Sequence, residues 1–178
     1  MNDVMKSALL AGLLVAGSAL GAGAPKTNLQ LTMLTKVNPQ GLALWDITNK
    51  SQDDNGNLDG SKLTAASWAQ LLEIGKALKE GGRTLATSSG VVVALPGAKL
   101  QDEGNTGASK ATDVQRYVDA KPAEFREHAQ ELEKTGAAIV EAAAKRDVKK
   151  LAALSNSLDE VCENCHKVFW YPQQSAQK

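Results

Sequence analysis

The feature that most restricts this chain lies near its end, in Val161-Cys162-Glu163-Asn164-Cys165-His166-Lys167-Val168-Phe169-Trp170-Tyr171-Pro172. Two cysteines three positions apart, followed at once by a histidine, have the spacing that thioether-links both vinyl groups of a haem and offers an imidazole to its iron. On a helix, residues at i, i+3 and i+4 share a face, so Cys162, Cys165 and His166 would point at one neighbour. The fold must then supply a helix here and a large apolar wall beside it. Other readings of the pair fit less well. A redox dithiol needs its reactive cysteine at a helix N-terminus, where the dipole lowers the thiol pKa, and this pair falls near a helix C-terminus. A structural zinc site needs four ligands, yet these are the chain's only cysteines and His128 is its only other histidine. A plain disulfide would leave the adjacent histidine without a reason.

The rest of the chain reads as helices. A first helix over roughly residues 28–49 is kinked at Asn38-Pro39 and resumes with Leu42, Trp45 and Ile47. A polar loop follows over residues 51–62. Its Asp53-Asp54-Asn55-Gly56-Asn57 has a partial likeness to a calcium loop, but the glycine is out of register and no glutamate closes it, so a solvated turn is expected. The second helix starts at Thr64, a good N-cap, and carries Trp68, Leu71, Leu72, Gly75 and Leu78. Gly81-Gly82 is expected to end or weaken it, although Leu85 could extend the apolar face by a turn.

Residues 87–120 form a long connection that includes Val91-Val92-Val93-Ala94-Leu95 before Pro96-Gly97. A surface insertion is its simplest reading; covering one side of the haem, or serving a partner, are the alternatives. A short helix is expected around residues 113–118. The third helix has Pro122 in its first turn and runs to about Lys145, with Phe125, Ala129, Leu132, Gly136, Ile139 and Ala143 on one stripe. The fourth begins after Asp147, and Leu151, Leu154, Leu158, Val161, Cys165 and Val168 recur at helical spacing before Pro172 ends it. Four amphipathic helices without a strand pattern predict an all-α fold, a four-helix up-down-up-down bundle. One end of such a bundle collects the start of helix 1, the end of helix 2, the start of helix 3 and the end of helix 4, and the haem belongs there. Trp45, Trp68 and Trp170 are expected as core or pocket packing.

Charge and the N-terminus bear on compartment and partners. Lys plus Arg and Asp plus Glu number 20 each among 178 residues, which provides no basic field for nucleic acid. Residues 1–24 read as a signal peptide: Lys6, an apolar run over 8–20, then Gly21-Ala22-Gly23-Ala24. The run is shorter than the roughly 20 residues that span a bilayer, so no membrane span is expected after its removal. Residues 25–178 would form one domain, with the insertion at about 87–120, exported to the periplasm, where c-type haem is attached by maturation machinery.

A haem motif at the C-terminal end of the last of four helices resembles the class II c-type cytochromes, cytochrome c′ and the low-spin cytochrome c556 group. Cys162, Cys165, His166 and Phe169 carry the likeness at motif level. Asn38-Pro39 through Leu44-Trp45-Asp46, together with Phe169-Trp170-Tyr171-Pro172, look like an exported subgroup of this family. The resemblance implies one covalent haem c with His166 as proximal iron ligand, redox partner proteins, and pairing of two copies through helices 1 and 2. Two departures stand out. Many cytochromes c′ carry Arg or Lys four residues after the ligating histidine, where this chain has Trp170, and the loop between helices 2 and 3 is longer than the family plan.

Function then turns on the opposite side of the iron, where methionine gives a low-spin electron-transfer centre and an apolar residue leaves room for small gases. Met33 is the one methionine left after signal removal and sits on helix 1 at the haem end, where the family's distal residue arises. Leu29, Leu34 and Val37 are its apolar competitors. His128 lies about 60° off the centre of helix 3's apolar stripe, which reads as a boundary or surface position. The expected function is therefore one-electron transfer by a periplasmic monohaem cytochrome, with capture of nitric oxide or carbon monoxide as the alternative. A peroxidase reading lacks a distal histidine and arginine pair, Arg116 or Arg126 with His128 being makeshift candidates.

Overall fold

A computed structural model describes residues 26–172, and the expected signal peptide lies outside the described residues. The chain is mostly helical. Its elements are strand β1 (Thr27–Asn28), helix α1 (Leu29–Thr32), a π-helical turn (Met33–Val37), α2 (Asn38–Lys50), a 3-10 turn (Gly60–Lys62), α3 (Ala65–Thr87), β2 (Val91–Val92), α4 (Ala111–Ala120), α5 (Pro122–Lys145) and α6 (Val148–Phe169). No helix among the described residues is long and apolar enough to cross a membrane.

The expected first helix is one continuous helical run, and its break has a local cause. Pro39 has no N–H to give the preceding turn. The ladder widens just upstream, with the Asn38 N–H bonding Met33 O, a π-type span. At α3, the Thr64 side chain accepts from Ser67 N at 3.1 Å, the N-cap expected there. The helix does not end at Gly81-Gly82 but continues to Thr87. Both glycines are buried where helices meet: a Cβ on Gly82 would stand 2.4 Å from the backbone N of Glu133, and one on Gly81 2.9 Å from Val37 Cγ2. They serve close approach, and packing outweighs the roughly 1 kcal/mol that glycine costs a helix.

α5 and α6 are joined by a tight corner. Arg146 adopts the left-handed conformation at φ 52°, Asp147 N bonds Ala142 O, and the Asp147 carboxylate caps α6 by accepting from Lys150 N at 2.9 Å. α3 and α5 run antiparallel, with Gly75 opposite Gly136 and Val140, and Gly82 opposite Glu133. α5 also packs on α6, and α2 packs on α3 and α6. On that last face Trp45 Nε1 donates to Ser155 O at 3.0 Å, and the buried hydroxyls of Thr48 and Ser155 are 3.0 Å apart. The expected stripe of α5 is buried at Phe125, Ala129, Leu132, Gly136, Ile139 and Ala143.

Two apolar clusters result. One gathers Leu44, Leu71, Leu78, Ile139, Leu151 and Leu158; the other gathers Leu85, Val93, Val114, Val118, Phe125 and Phe169, and Met33 packs against both. The long connection contains a short ladder and the buried Val93. β1 and β2 pair in parallel, Thr27 with Val91 and Asn28 with Val92, a ladder too short to show an alternating pattern in sequence. The helix expected around residues 113–118 is α4. In the Asp53 loop the carboxylate accepts from the N–H groups of Asn55 and Asn57 at 2.9 Å each, bonds that close a turn.

Candidate functional site

α6 carries the motif residues in its last turns, where the apolar stripe set by Leu151 and Leu158 brings that face against the core. Cys162, Cys165 and His166 all line one cavity of about 320 Å³, within the range of roughly 300–1,000 Å³ common for small-molecule sites. The two thiols form no disulfide. Burial, helped by the Asp159 charge, pushes the Cys162 thiol up to about 11, and burial pushes Cys165 up to about 12. This is the reverse of a reactive dithiol, whose thiolate is stabilised. Burial lowers the His166 pKa against the opposing pull of Glu163, so the ring is held neutral, the form that ligates metal.

The residues after His166 fold back onto the motif. Trp170 stands edge-on to the His166 ring with centroids 4.8 Å apart, and Tyr171 approaches the same ring at 6.0 Å. The Tyr171 hydroxyl donates to the Glu163 carboxylate, and that bond, more than the ion pair with Lys167 at 3.5 Å, holds Glu163 below the usual carboxylate range. Phe169 is buried, edge-on to Phe125 at 5.5 Å.

The remaining walls come from the first helical run, α3, α5, and the long connection with α4. Leu29, Gln30, Met33, Leu34 and Val37 come from α1 and the π turn, and Trp45 from α2. Leu78 and Leu85 of α3 line it, as do Phe125, His128, Ala129 and Leu132 of α5. Val93, Leu100 and Gln101 of the long connection, with Val114 of α4, complete it. Met33 therefore shares the cavity with Cys162, Cys165 and His166, as do its apolar competitors. His128 is half-buried and edge-on to Phe169 at 6.0 Å, a boundary position that faces the cavity. Arg116 is bonded to Asp113 at 2.9 Å and Arg126 is exposed, and neither lines the cavity. Of the tryptophans, Trp68 is buried in the first cluster, while Trp45 and Trp170 line the cavity.

The residues missed by sequence reasoning are Gln30, Leu100, Gln101 and Val114. Only the apolar run around Val93 hinted that the connection reaches the site. No Asp, Glu, Lys or Arg is present among the described lining residues. Two thiols and a neutral imidazole on one helix face, against an apolar wall, are the donor set that a haem requires. Haem would be held by Cys162 and Cys165 through its vinyl groups and by His166 at its iron.

Comparison with known proteins agrees with this chemistry. The cytochrome C′ family model matches residues 64–170, from the N-cap of α3 through the motif to Trp170. No curated protein and no solved structure matches the chain. The matched span covers more than half of the sequence and ends on the helix that carries both cysteines and the histidine, so the chain belongs to the cytochrome c′ family.

Proposed function

We propose that this haem protein is an exported monohaem c-type cytochrome acting in one-electron transfer. In this reading residues 1–24 are a signal peptide, residues 25–178 are a four-helix up-down-up-down bundle domain, and the compartment is the periplasm. Cys162 and Cys165 carry haem c by thioether bonds, His166 is the proximal ligand, and Met33 is the distal one. The observation that carries the reading is that these four side chains line one apolar cavity although Met33 lies far from the others in sequence.

Haem supplies a one-electron iron couple when bound. The chain's own residues do the rest. His166 donates a neutral imidazole and Trp170 limits how its ring can rotate. Leu78, Leu85, Phe125 and Leu132 exclude water, which keeps the local dielectric low and the iron's charge change small in its coupling to solvent. Redox partner proteins are the partners expected, and two copies can pair without strong charge repulsion. A second reading, capture of nitric oxide or carbon monoxide, is favoured by Leu29, Leu34 and Val37, which line the cavity from the same run as Met33.

Absorption spectra of protein matured in a periplasm with haem-attachment machinery test both. A low-spin spectrum, unchanged when carbon monoxide is added to the reduced form, is the expected result. A high-spin spectrum that shifts on addition would replace electron transfer by gas binding. Haem that stays covalently attached in a Cys162→Ala/Cys165→Ala double variant would overturn the site itself.

A further inference from the structure

α1 is the first turn of the run that continues through the π turn into α2, and its leading N–H groups need partners outside that run. Leu29 and the following Met33 pack against the apolar clusters, while Leu31 is 59% exposed. The long connection adds a polar anchorage. The first N–H groups of a helix have no partner within it, and here Gln30 N bonds Val93 O at 2.9 Å while Leu31 N bonds the Asn28 side chain at 2.8 Å. The Gln30 side chain adds a bond from Nε2 to Lys99 O at 2.6 Å, and Thr27 N bonds Gly90 O at 3.0 Å beside the β1–β2 ladder.

The connection is itself held from its far side by one carboxamide. Gln115 Oε1 accepts from Val93 N at 2.8 Å and its Nε2 donates to Val91 O at 3.0 Å. Those two bonds occupy the free edge of β2 as a neighbouring strand would. The Gln115 Nε2 also donates to Asp119 at 3.0 Å, which fixes the amide's orientation on α4. Glu103 ties the second half of the connection to the start of α4, accepting from Leu100 N at 3.1 Å and Ala111 N at 3.2 Å. Val93, at the centre of these bonds, is 1% exposed and lines the cavity.

We propose that Gln115 and Gln30 are positioning residues that pin the connection as a strap across the haem cavity, holding α1 and the Met33 turn in place and thereby limiting access of small ligands to the iron. The inference rests on the reading that the cavity carries haem. Gln115→Leu keeps the side chain's shape and removes both bonds to β2. In the reduced holoprotein, whose parent spectrum is expected to stay unchanged when carbon monoxide is added, it should make a carbon-monoxide-shifted fraction appear, because losing two hydrogen bonds frees the strap to open. The low-spin fraction should fall with it, at unchanged far-ultraviolet helicity. Gln30→Leu should act in the same direction through the other side of the strap.

A strap that only stabilises the fold would lower the melting temperature and leave the carbon monoxide response and spin state alone. Haem-loaded Gln115→Leu and Gln30→Leu with the parent's carbon monoxide response and spectrum would therefore overturn the proposal. Should Gln115→Leu fail to accumulate, Gln30→Leu decides alone. Failure of the underlying haem reading shows separately, as a parent protein that takes up no covalent haem.

Discussion

At the scale of single residues, the site works by placing weakly polar groups where water is excluded. His166 is neutral because burial outweighs the nearby Glu163 charge, and that carboxylate is itself engaged by Tyr171 and Lys167. The imidazole can therefore offer its lone pair without first losing a proton. In the proposed reading, Met33 is the residue on which the choice between electron transfer and gas binding turns. Met33→Leu conserves volume, so its cost in stability should stay at about 1 kcal/mol or less. The same change should convert a low-spin spectrum to high-spin and lower the reduction potential, read by absorption and potentiometric titration. A spectrum that does not move would remove Met33 from the iron. That Cys162, Cys165 and His166 face one cavity was legible because their relation is local, set by the helix period alone. Gln30 and Gln115 were not, because a carboxamide has no periodic signature and the partner of Gln115 at Val93 is 22 positions away.

At the scale of elements, small residues decide how closely the helices pack. A Cβ on Gly136 would stand 2.3 Å from the backbone N of Lys79, an atom that α3 cannot move without shifting as a whole. Gly136→Ala should therefore destabilise the protein by about 3 kcal/mol, at the upper end of overpacking costs, despite alanine's better helix propensity. Gly41→Ala is the internal contrast. There the added Cβ meets the Trp45 ring at an ordinary 3.6 Å, so the propensity gain of about 1 kcal/mol should prevail. Urea unfolding of the two variants measures both signs, and a neutral Gly136→Ala would mean that α3 and α5 can part without loss. This contrast also explains why helix ends were read well at Thr64, Pro122 and Asp147 and badly at Gly81-Gly82. Caps and prolines act within a few residues, whereas a glycine's meaning depends on what lies across the interface. The β1–β2 pair escaped for a related reason, being two residues long on each side and held by long-range partners.

At the scale of the whole molecule, the cavity lies between two apolar clusters that share Met33 as a neighbour. A covalent haem would touch both, so it would act as core as well as cofactor. The amphipathic stripes of α3, α5 and α6 already foretold such a core, but no stripe could show that it would be divided. The division arises because Phe169 joins Val93, Val114 and Phe125 on one side while Leu158 joins Leu44 and Leu78 on the other. The energetic consequence can be bounded. At about 24 cal/mol per Å³, leaving a cavity of about 320 Å³ unfilled would forgo at most about 8 kcal/mol. That is comparable to the whole stability of an ordinary domain, about 5–15 kcal/mol. Cys162→Ala/Cys165→Ala protein, produced without haem, should therefore keep most of its far-ultraviolet helical signal, since α3, α5 and their glycine contacts lie largely in the first cluster. Its near-ultraviolet signal and cooperative melting should be lost, because Trp170 and Phe169 depend on the second wall. A haem-free variant that melts as sharply as the holoprotein, and at the same temperature, would show that the two clusters support each other without the cofactor.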